Sequence, residues 1–260
     1  MKAVILAGGL GTRIAEESDT RPKPMIEIGG KPLLWHIMKI YSCHGIKEFV
    51  ICLGYKGYQI KEYFFNYYKH TSNLEVNLAN GDVKILDSAC EDWKVTLIDT
   101  GLNTMTGGRL LRALSYIGNE TFCMTYGDGL ANVDISSEIE FHKSHGKPVT
   151  VLAVPSPGRF GVMKMEQKYI VNEFIEKPEN EMGLINGGFF VLEPSVVDYI
   201  SGDSVSWETE PLQTLAAEGN VRAFRHNGFW QPCDTLRDKR EMEKRWVIDQ
   251  PWADWKLNEK

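Results

Sequence analysis

Through the first half of the chain, apolar runs of strand length alternate with segments whose apolar residues recur at helical spacing. The strand-like runs cover residues 2–7, 48–53, 95–100 and 120–126, and the helix-like segments cover 32–43, 57–68 and 109–117. Strands that alternate with helices in this way predict a mostly parallel sheet with helices on both faces.

The second half is less regular. Its predicted strands cover 149–154 and 185–192, a hairpin arm covers 168–175, and its predicted helices cover 210–218 and 236–247. Between residues 71 and 92, Asn80-Gly81 lies between alternating flanks, which predicts a small β-hairpin outside the main sheet. Because no repeat or long linker interrupts the chain, we expect one domain over residues 1–260.

Charge and cysteine content narrow the class of partners. The chain has 29 Lys and Arg against 35 Asp and Glu, a net charge of -6. Nucleic-acid and anionic-membrane surfaces need dense positive charge, so neither partner is expected. The five cysteines include no C-x-x-C pair, and no uncharged apolar stretch approaches the length of a membrane span. These features predict a cytoplasmic protein with reduced cysteines.

A glycine-rich loop follows the first predicted strand at once, with the sequence Gly8-Gly9-Leu10-Gly11-Thr12-Arg13. The carboxyl edge of a parallel sheet is where α/β proteins bind ligands, and glycines let backbone N–H groups converge on an anion. Arg13 would add a fixed cation for phosphate. A tight turn without a ligand is the alternative. The loop lacks the lysine of a P-loop and the last glycine of the dinucleotide fingerprint.

Lys23 stands between Pro22 and Pro24. The two prolines stiffen the backbone and exclude a helix there. The lysine is either a second cation at a set distance from the glycine loop or a solvated side chain in a turn.

Together, the stretch from Leu6 to Arg13 and the Pro22-Lys23-Pro24 triplet resemble the sugar-1-phosphate nucleotidylyltransferase family. Further matches follow in order, namely Gly127-Asp128, Glu176-Lys177-Pro178, Asn186-Gly187-Gly188, and Trp230 with Asp234. The resemblance implies a Rossmann-like (GT-A-like) α/β fold with a mixed, mostly parallel central sheet flanked by helices. It also implies a nucleotide-binding half at about 1–130, a sugar-phosphate-binding half at about 131–240 and a helical tail at 241–260.

Within the family, the chain is most similar to the branch that uses CTP. The stretches behind this similarity are Ile28-Gly29-Gly30-Lys31-Pro32, Met105-Thr106-Gly107-Gly108-Arg109, Tyr126-Gly127-Asp128-Gly129 and 228–238. Departures from the wider family include Gly129, where many members have asparagine, and Leu236, where many have glycine. The resemblance implies that CTP and α-D-glucose 1-phosphate form CDP-glucose and pyrophosphate, which would supply CDP-deoxyhexoses for O-antigen sugars.

The implied reaction is a direct in-line attack of the sugar phosphate on the α-phosphorus. It needs positioning and charge neutralisation rather than a general base. The resemblance gives Arg13, Lys23 and Asp128 catalytic roles. It makes Asp128 and Asp234 ligands of one Mg²⁺. The nucleotide would contact Leu6, Ala7, Gly8, Gly9, Leu10, Gly11, Thr12, Arg13, Lys23, Thr104, Gly108, Arg109 and Asp128. The sugar phosphate would contact Gly129, Glu176, Lys177, Asn186 and Gly187.

Taken alone, the same residues also have structural interpretations. Asp128 is typical of a turn, and Asp234 of a helix N-cap before Leu236. Thr106 could cap the helix that follows it. The glycines at 187 and 188 could mark a strand bulge.

Two rival functions remain open. One is transfer from dTTP, UTP or GTP instead of CTP, and the other is a non-catalytic nucleotide-sugar sensor. The resemblance also implies a homo-oligomer, with a hexamer as the expected form and the 71–92 segment as a candidate contact. The tryptophans near the C-terminus could mark a subunit interface or core packing. His142 and His145 have the spacing of metal ligands, but we interpret them as a solvated helix end.

Overall fold

A computed structural model of the chain describes residues 1–11, 14, 20–156, 162–165, 171–175 and 183–257, and at 162–165, 171–175 and 256–257 it describes the backbone alone. Four predicted site residues lie outside these ranges: Thr12, Arg13, Glu176 and Lys177.

The strands are β1 Ala3–Leu6, β2 Glu27–Ile28, β3 Lys31–Pro32, β4 Glu48–Leu53, β5 Ser72–Val76, β6 Val83–Ser88, β7 Lys94–Asp99, β8 Phe122–Tyr126, β9 Gly129–Ala131, β10 Val149–Pro155, β11 Val162–Met165, β12 Val171–Ile175, β13 Leu184–Leu192, β14 Val221–Arg225 and β15 Trp230–Pro232.

Seven strands form the central sheet, in the order β14-β10-β13-β8-β1-β4-β7. The pairs β1–β4, β1–β8, β4–β7 and β10–β14 are parallel, whereas β13 runs antiparallel to both of its neighbours. The sheet is therefore mostly parallel, as the alternation of strands and helices predicts, and mixed, as the family resemblance implies. Strand β1 lies near the middle of the sheet. Because the glycine loop follows the end of β1 directly, the loop begins at the carboxyl edge of the sheet.

Helices cover both faces of this sheet. They are α1 Leu33–Cys43, α2 Gly57–His70, α3 Thr106–Ile117, α4 Ile135–His145, α5 Glu210–Ala217 and α6 Leu236–Ile248. Successive side chains of β1 point to opposite faces. Ala3 and Ile5 pack in one core cluster with residues of α1, while Val4 and Leu6 pack in the other with residues of α3. Within the described ranges, no helix is both long and apolar enough to cross a membrane.

The hairpin predicted between residues 71 and 92 is present. Among the described strands, β5 and β6 pair only with each other, and Gly81 in the turn has a φ of +78°. All six residues of β6 are exposed, and Leu78 in the connection is 92% exposed. The hairpin therefore presents apolar side chains outside the two core clusters.

The C-terminal tryptophans belong to the core. Trp252 and Trp255 are buried and surround His36 of α1, whose ring centroid lies 5.9 Å from Trp252 and 6.3 Å from Trp255. The His36 Nδ1 accepts a hydrogen bond from the Trp252 indole at 3.2 Å. Of the two interpretations of these tryptophans, a subunit interface or core packing, core packing is therefore correct for Trp252 and Trp255.

The interpretation of His142 as part of a solvated helix end is wrong. The side chain is 2% exposed, and its Nδ1 lies 2.8 Å from the Thr150 hydroxyl while its Nε2 lies 3.1 Å from Glu193. The helix turns this residue towards β10, so its ring is buried in a hydrogen-bonded network.

Candidate active site

A cleft of about 700 Å³ opens at the carboxyl edge of the sheet, where β1 and β8 end. Its lining includes eleven of the predicted site residues: Leu6, Ala7, Gly8, Gly9, Leu10, Gly11, Lys23, Thr104, Arg109, Asp128 and Asn186. Gly108, Gly129, Gly187 and Asp234 do not line it. The structure thus gathers most of the predicted nucleotide residues around one cleft.

Arg109 forms part of the floor under the glycine loop and is only 4% exposed. Its guanidinium donates to the carbonyl oxygens of Gly8 and Leu53, both at 3.0 Å, and to the Thr100 hydroxyl at 2.7 Å. A Cβ at position 8 would lie 2.1 Å from this guanidinium, so only glycine allows the close approach. Burial lowers the pKa of Arg109 below its ordinary value. The arginine therefore fixes the path of the glycine loop from below.

Lys23 connects the two predicted metal ligands. Its ammonium donates to Oδ2 of Asp128 at 2.7 Å and to Oδ1 of Asp234 at 2.6 Å. The lysine side chain is 12% exposed. Burial lowers its pKa, but the two carboxylates raise it, and the net pKa lies above the ordinary value. The lysine is thus a largely buried cation shared by two carboxylates, rather than a solvated side chain in a turn.

A short two-stranded ladder brings the aspartates together. Strand β9 pairs antiparallel with β15, and Gly129 is opposite Pro232. The Asp128 carbonyl oxygen accepts a hydrogen bond from the Cys233 N–H at 2.8 Å, which extends the pairing. Thr235, not Asp234, is the N-cap of α6, in a capping box with Asp238. The Asp234 carboxylate is therefore available to face Lys23.

A close approach at Gly127 places Lys23 beside β8. A Cβ at position 127 would lie 2.8 Å from the Pro24 ring, so a side chain there would push the proline-flanked lysine away from the strand end. Lys23 begins a short 3₁₀ turn over Lys23–Met25, which the preceding Pro22 enters in extended conformation. Glycine and proline together set the position of the ammonium.

The residues present fit a single magnesium ion that also binds substrate. Because both carboxylate oxygens contact one nitrogen, they lie no more than about 5.3 Å apart, the sum of their distances to it. Mg²⁺ is commonly held by one or two carboxylates together with substrate phosphates. Among the described residues, no group of three or more His, Cys, Asp or Glu side chains could hold a metal ion. Further ligands would thus have to come from substrate or water.

Two of the predicted site glycines, Gly108 and Gly187, allow neighbouring segments to pack closely against them. A Cβ on Gly108 would lie 2.5 Å from the Asp203 Cα, and a Cβ on Gly187 would lie 3.0 Å from Val154. The carbonyl oxygen of Gly187 accepts a hydrogen bond from the Trp230 indole at 2.7 Å. Thr106 does not cap α3, since its hydroxyl donates to Glu208 at 2.7 Å.

Tyr126 and Glu208 are among the polar residues of the cleft that sequence reasoning missed. The Tyr126 hydroxyl donates to the Glu208 carboxylate at 2.5 Å. Burial and this carboxylate raise the pKa of Tyr126. Tyr126 stands next to Gly127-Asp128, so its place in the site could have been inferred from the sequence. Glu208 lies just before helix α5, and no sequence motif around it indicates a site residue.

The chain is similar to known proteins over most of its length. A model of the nucleotidyl transferase family matches residues 2–231. The glucose-1-phosphate cytidylyltransferase of Salmonella typhi is 55% identical over 257 residues, which cover 98% of this chain and 100% of that protein. Mannose-1-phosphate guanylyltransferase 1 of Arabidopsis thaliana is 31% identical, over 92% of this chain and 62% of that protein.

Solved structures share the fold. HddC from Yersinia pseudotuberculosis superimposes with a TM-score of 0.69 at 25% identity, covering 94% of this chain and 99% of that one. A UDP-glucose pyrophosphorylase complexed with UDP-glucose gives a TM-score of 0.66 at 20% identity over 95% of this chain and 98% of that one. From the family match and the long, highly identical relative, we conclude that the chain belongs to the nucleotidyl transferase family.

Proposed function

We propose that this chain is a glucose-1-phosphate cytidylyltransferase that converts CTP and α-D-glucose 1-phosphate to CDP-glucose and pyrophosphate. The observation that carries the proposal is the Lys23 ammonium held between Asp128 and Asp234, beside the cleft that the glycine loop lines. The 55% identical relative supports the choice of CTP and glucose 1-phosphate. A Mg²⁺ held by Asp128 and Asp234 would supply charge neutralisation at the phosphates.

The chain's own groups account for the rest of the reaction. The sugar phosphate oxygen is already an anion, so no side chain has to remove a proton from it. Two of the three Lys23 N–H bonds go to the aspartates, which leaves the third for a phosphate oxygen. Negative charge grows on the leaving pyrophosphate, and a fixed cation nearby lowers the energy of that transition state. Catalysis therefore rests on position and charge.

The proposal also assigns the residues that contact each substrate. Leu6 to Gly11 and Thr104 would contact the nucleotide, and Asn186 the sugar. Arg13, Glu176 and Lys177 keep their expected roles towards the triphosphate, the sugar hydroxyls and the sugar phosphate. The half at 1–130 would then bind nucleotide and the half at 131–240 the sugar phosphate, within one cytoplasmic domain. CDP-glucose would be passed on to the synthesis of CDP-deoxyhexoses.

The nucleotide choice is tested by one panel of assays. Purified protein with Mg²⁺ is given each of ATP, CTP, GTP, UTP and dTTP with glucose 1-phosphate, and pyrophosphate release is measured. We expect kcat/KM with CTP to exceed that with every other nucleotide by at least about tenfold, a difference of about 1.4 kcal/mol. A preference for UTP or dTTP would refute the cytidylyl assignment, and no turnover with any pair would favour the sensor.

We also propose that the protein is a homo-oligomer and that the hairpin of β5 and β6 contributes to the contact. Its exposed apolar residues, among them Leu78 and Leu86, are 92% and 55% exposed. Light scattering should give a mass above that of one chain, 29.5 kDa, and the double change Leu78→Glu with Leu86→Glu should lower it. Val247→Glu, at an equally exposed position of α6, is the control. A monomeric wild type, or a hairpin variant of unchanged mass, would contradict the proposal.

A further inference from the structure

Glu208 is held in a fixed orientation on the cleft wall. Its Oε1 accepts a hydrogen bond from the Tyr126 hydroxyl at 2.5 Å, and its Oε2 accepts one from Thr106 at 2.7 Å. The Thr106 oxygen in turn accepts the Trp207 N–H at 2.9 Å, so its only proton goes to Glu208. Two donors on two different elements thus fix both carboxylate oxygens.

The carboxylate keeps the capacity to accept more hydrogen bonds. Each of its oxygens has two acceptor sites, and the two hydroxyls occupy one on each. No ion pair to Glu208 occurs among the described residues. A carboxylate without a cation repels phosphate, which makes this wall unsuitable for the triphosphate. It suits a part of the substrate that is uncharged and carries hydrogen-bond donors.

The surroundings of Tyr126 indicate which donors these are. Its ring packs over β13, where a Cβ on Gly188 would lie 2.7 Å from the Tyr126 Cδ2. The amide of Asn186, on the same strand, also interacts with the Tyr126 hydroxyl. Both Asn186 and Glu208 line the cleft. Glu208 therefore stands beside the strand proposed for the sugar.

We propose that Glu208 is a specificity-determining residue that accepts a hydrogen bond from one hydroxyl of the sugar phosphate. The proposal rests on the function proposed above. Removing that hydroxyl from the substrate leaves a fixed carboxylate without its partner in a cleft from which water is displaced. Since hydrogen bonds to charged groups are the stronger ones, the loss in kcat/KM should be about 10- to 100-fold.

The test compares sugar phosphates that differ by one hydroxyl. Wild type and Glu208→Gln are assayed with CTP and with glucose 1-phosphate or its 2-, 3-, 4- and 6-deoxy analogues, and glucose 1-phosphate is also assayed with dCTP. Glutamine keeps the size of the side chain but replaces one acceptor oxygen with a donor. Glu208→Ala removes both acceptors. Glu210→Gln, two residues on and exposed in the first turn of α5, is the matched control.

We expect one deoxy analogue to be 10- to 100-fold poorer than glucose 1-phosphate with the wild type. With Glu208→Ala, glucose 1-phosphate should fall to the level of that analogue, and the analogue itself should change little. The other analogues should fall as glucose 1-phosphate does, and Glu210→Gln should match the wild type. Thermal unfolding of both Glu208 variants shows whether they fold.

Four results would overturn the proposal. Equal losses with every sugar phosphate would mean that Glu208 only holds Tyr126 and Thr106. A loss that disappears with dCTP would place the contact on the ribose. A wild type that does not turn over CTP with glucose 1-phosphate would refute the proposed function and this inference together, whereas turnover without hydroxyl dependence refutes only the role of Glu208.

Discussion

Replacing Lys23 with methionine should lower kcat/KM for CTP and glucose 1-phosphate by about 10³-fold, roughly 4 kcal/mol of transition-state stabilisation. The variant keeps a side chain of similar length but removes the cation that faces both Asp128 and Asp234. It also leaves two carboxylates within about 5.3 Å of each other without a shared counter-charge. The loss should appear mainly in kcat, because charge on the leaving pyrophosphate grows only in the transition state.

The same variant should bind a divalent ion more tightly when nucleotide is absent. In the wild type the Lys23 ammonium contacts the two carboxylates that would hold the ion, and its positive charge weakens their attraction for a second cation. Mn²⁺ binding measured by electron paramagnetic resonance should therefore strengthen roughly tenfold in Lys23→Met. Lys143→Met, at an exposed position near the end of α4, should change neither activity nor metal affinity. Full activity in Lys23→Met would refute the role of the lysine.

Glu138 is the source of the second large expected effect. This α4 side chain is 1% exposed, and its Oε1 has no hydrogen-bond partner among the described residues. Among the described residues, the ionisable groups that face it are Tyr41 of α1 and Cys123 of β8, neither of which supplies positive charge. Burial raises the pKa of Glu138 from 4.5 to about 8. The folded protein thus keeps this carboxyl neutral at pH values where an unfolded chain ionises it.

The consequence is a loss of stability as pH rises. Below about pH 4.5 the carboxyl is neutral in both states, and between pH 4.5 and 8 the unfolded state gains stability by ionising. Glu138→Gln removes this effect, so its free energy of unfolding should exceed that of the wild type by about 4 kcal/mol at pH 8 and above. The difference should shrink to near zero at pH 4.5. Thermal unfolding across this range measures it, with a Tm difference of roughly 10 °C at the alkaline end.

Glu140→Gln controls for the removal of one negative charge from α4, since Glu140 is exposed two residues away. It should follow the wild-type pH dependence. A Glu138→Gln variant whose stability relative to wild type does not change with pH would show that Glu138 is ionised in the folded protein.

Much of the fold could be predicted because the first half has long, strongly periodic elements. Strand β4 covers the predicted residues 48–53, and helix α1 differs from its prediction only at the first residue. Helix α3 begins at Thr106 rather than at 109, because its first turn consists of small residues that pack against residues 203–207. Strands β9 and β15 are only three residues long, too short for a period to be visible.

The parts of the candidate site that lie within one segment of the chain, such as the glycine loop, could be predicted from the sequence. The meeting of Asp128 with Asp234 depends on the β9–β15 ladder between segments 106 positions apart, so it could be expected only from the family resemblance. Arg109 could be placed near the nucleotide, but its bonds to Gly8 and Leu53 arise from tertiary packing alone. Glu208 could be placed in the site only from the structure, in which the hydroxyls of Tyr126 in β8 and Thr106 in α3 donate hydrogen bonds to it.

The most direct test of the proposed chemistry is phosphorus NMR of the wild type with CTP, glucose 1-phosphate and Mg²⁺. The account predicts that CDP-glucose and pyrophosphate form in equal amounts and that Asp128→Asn and Asp234→Asn each slow this by about 10²-fold or more. Formation of CMP or free phosphate in place of CDP-glucose, or unchanged rates in both aspartate variants, would contradict it.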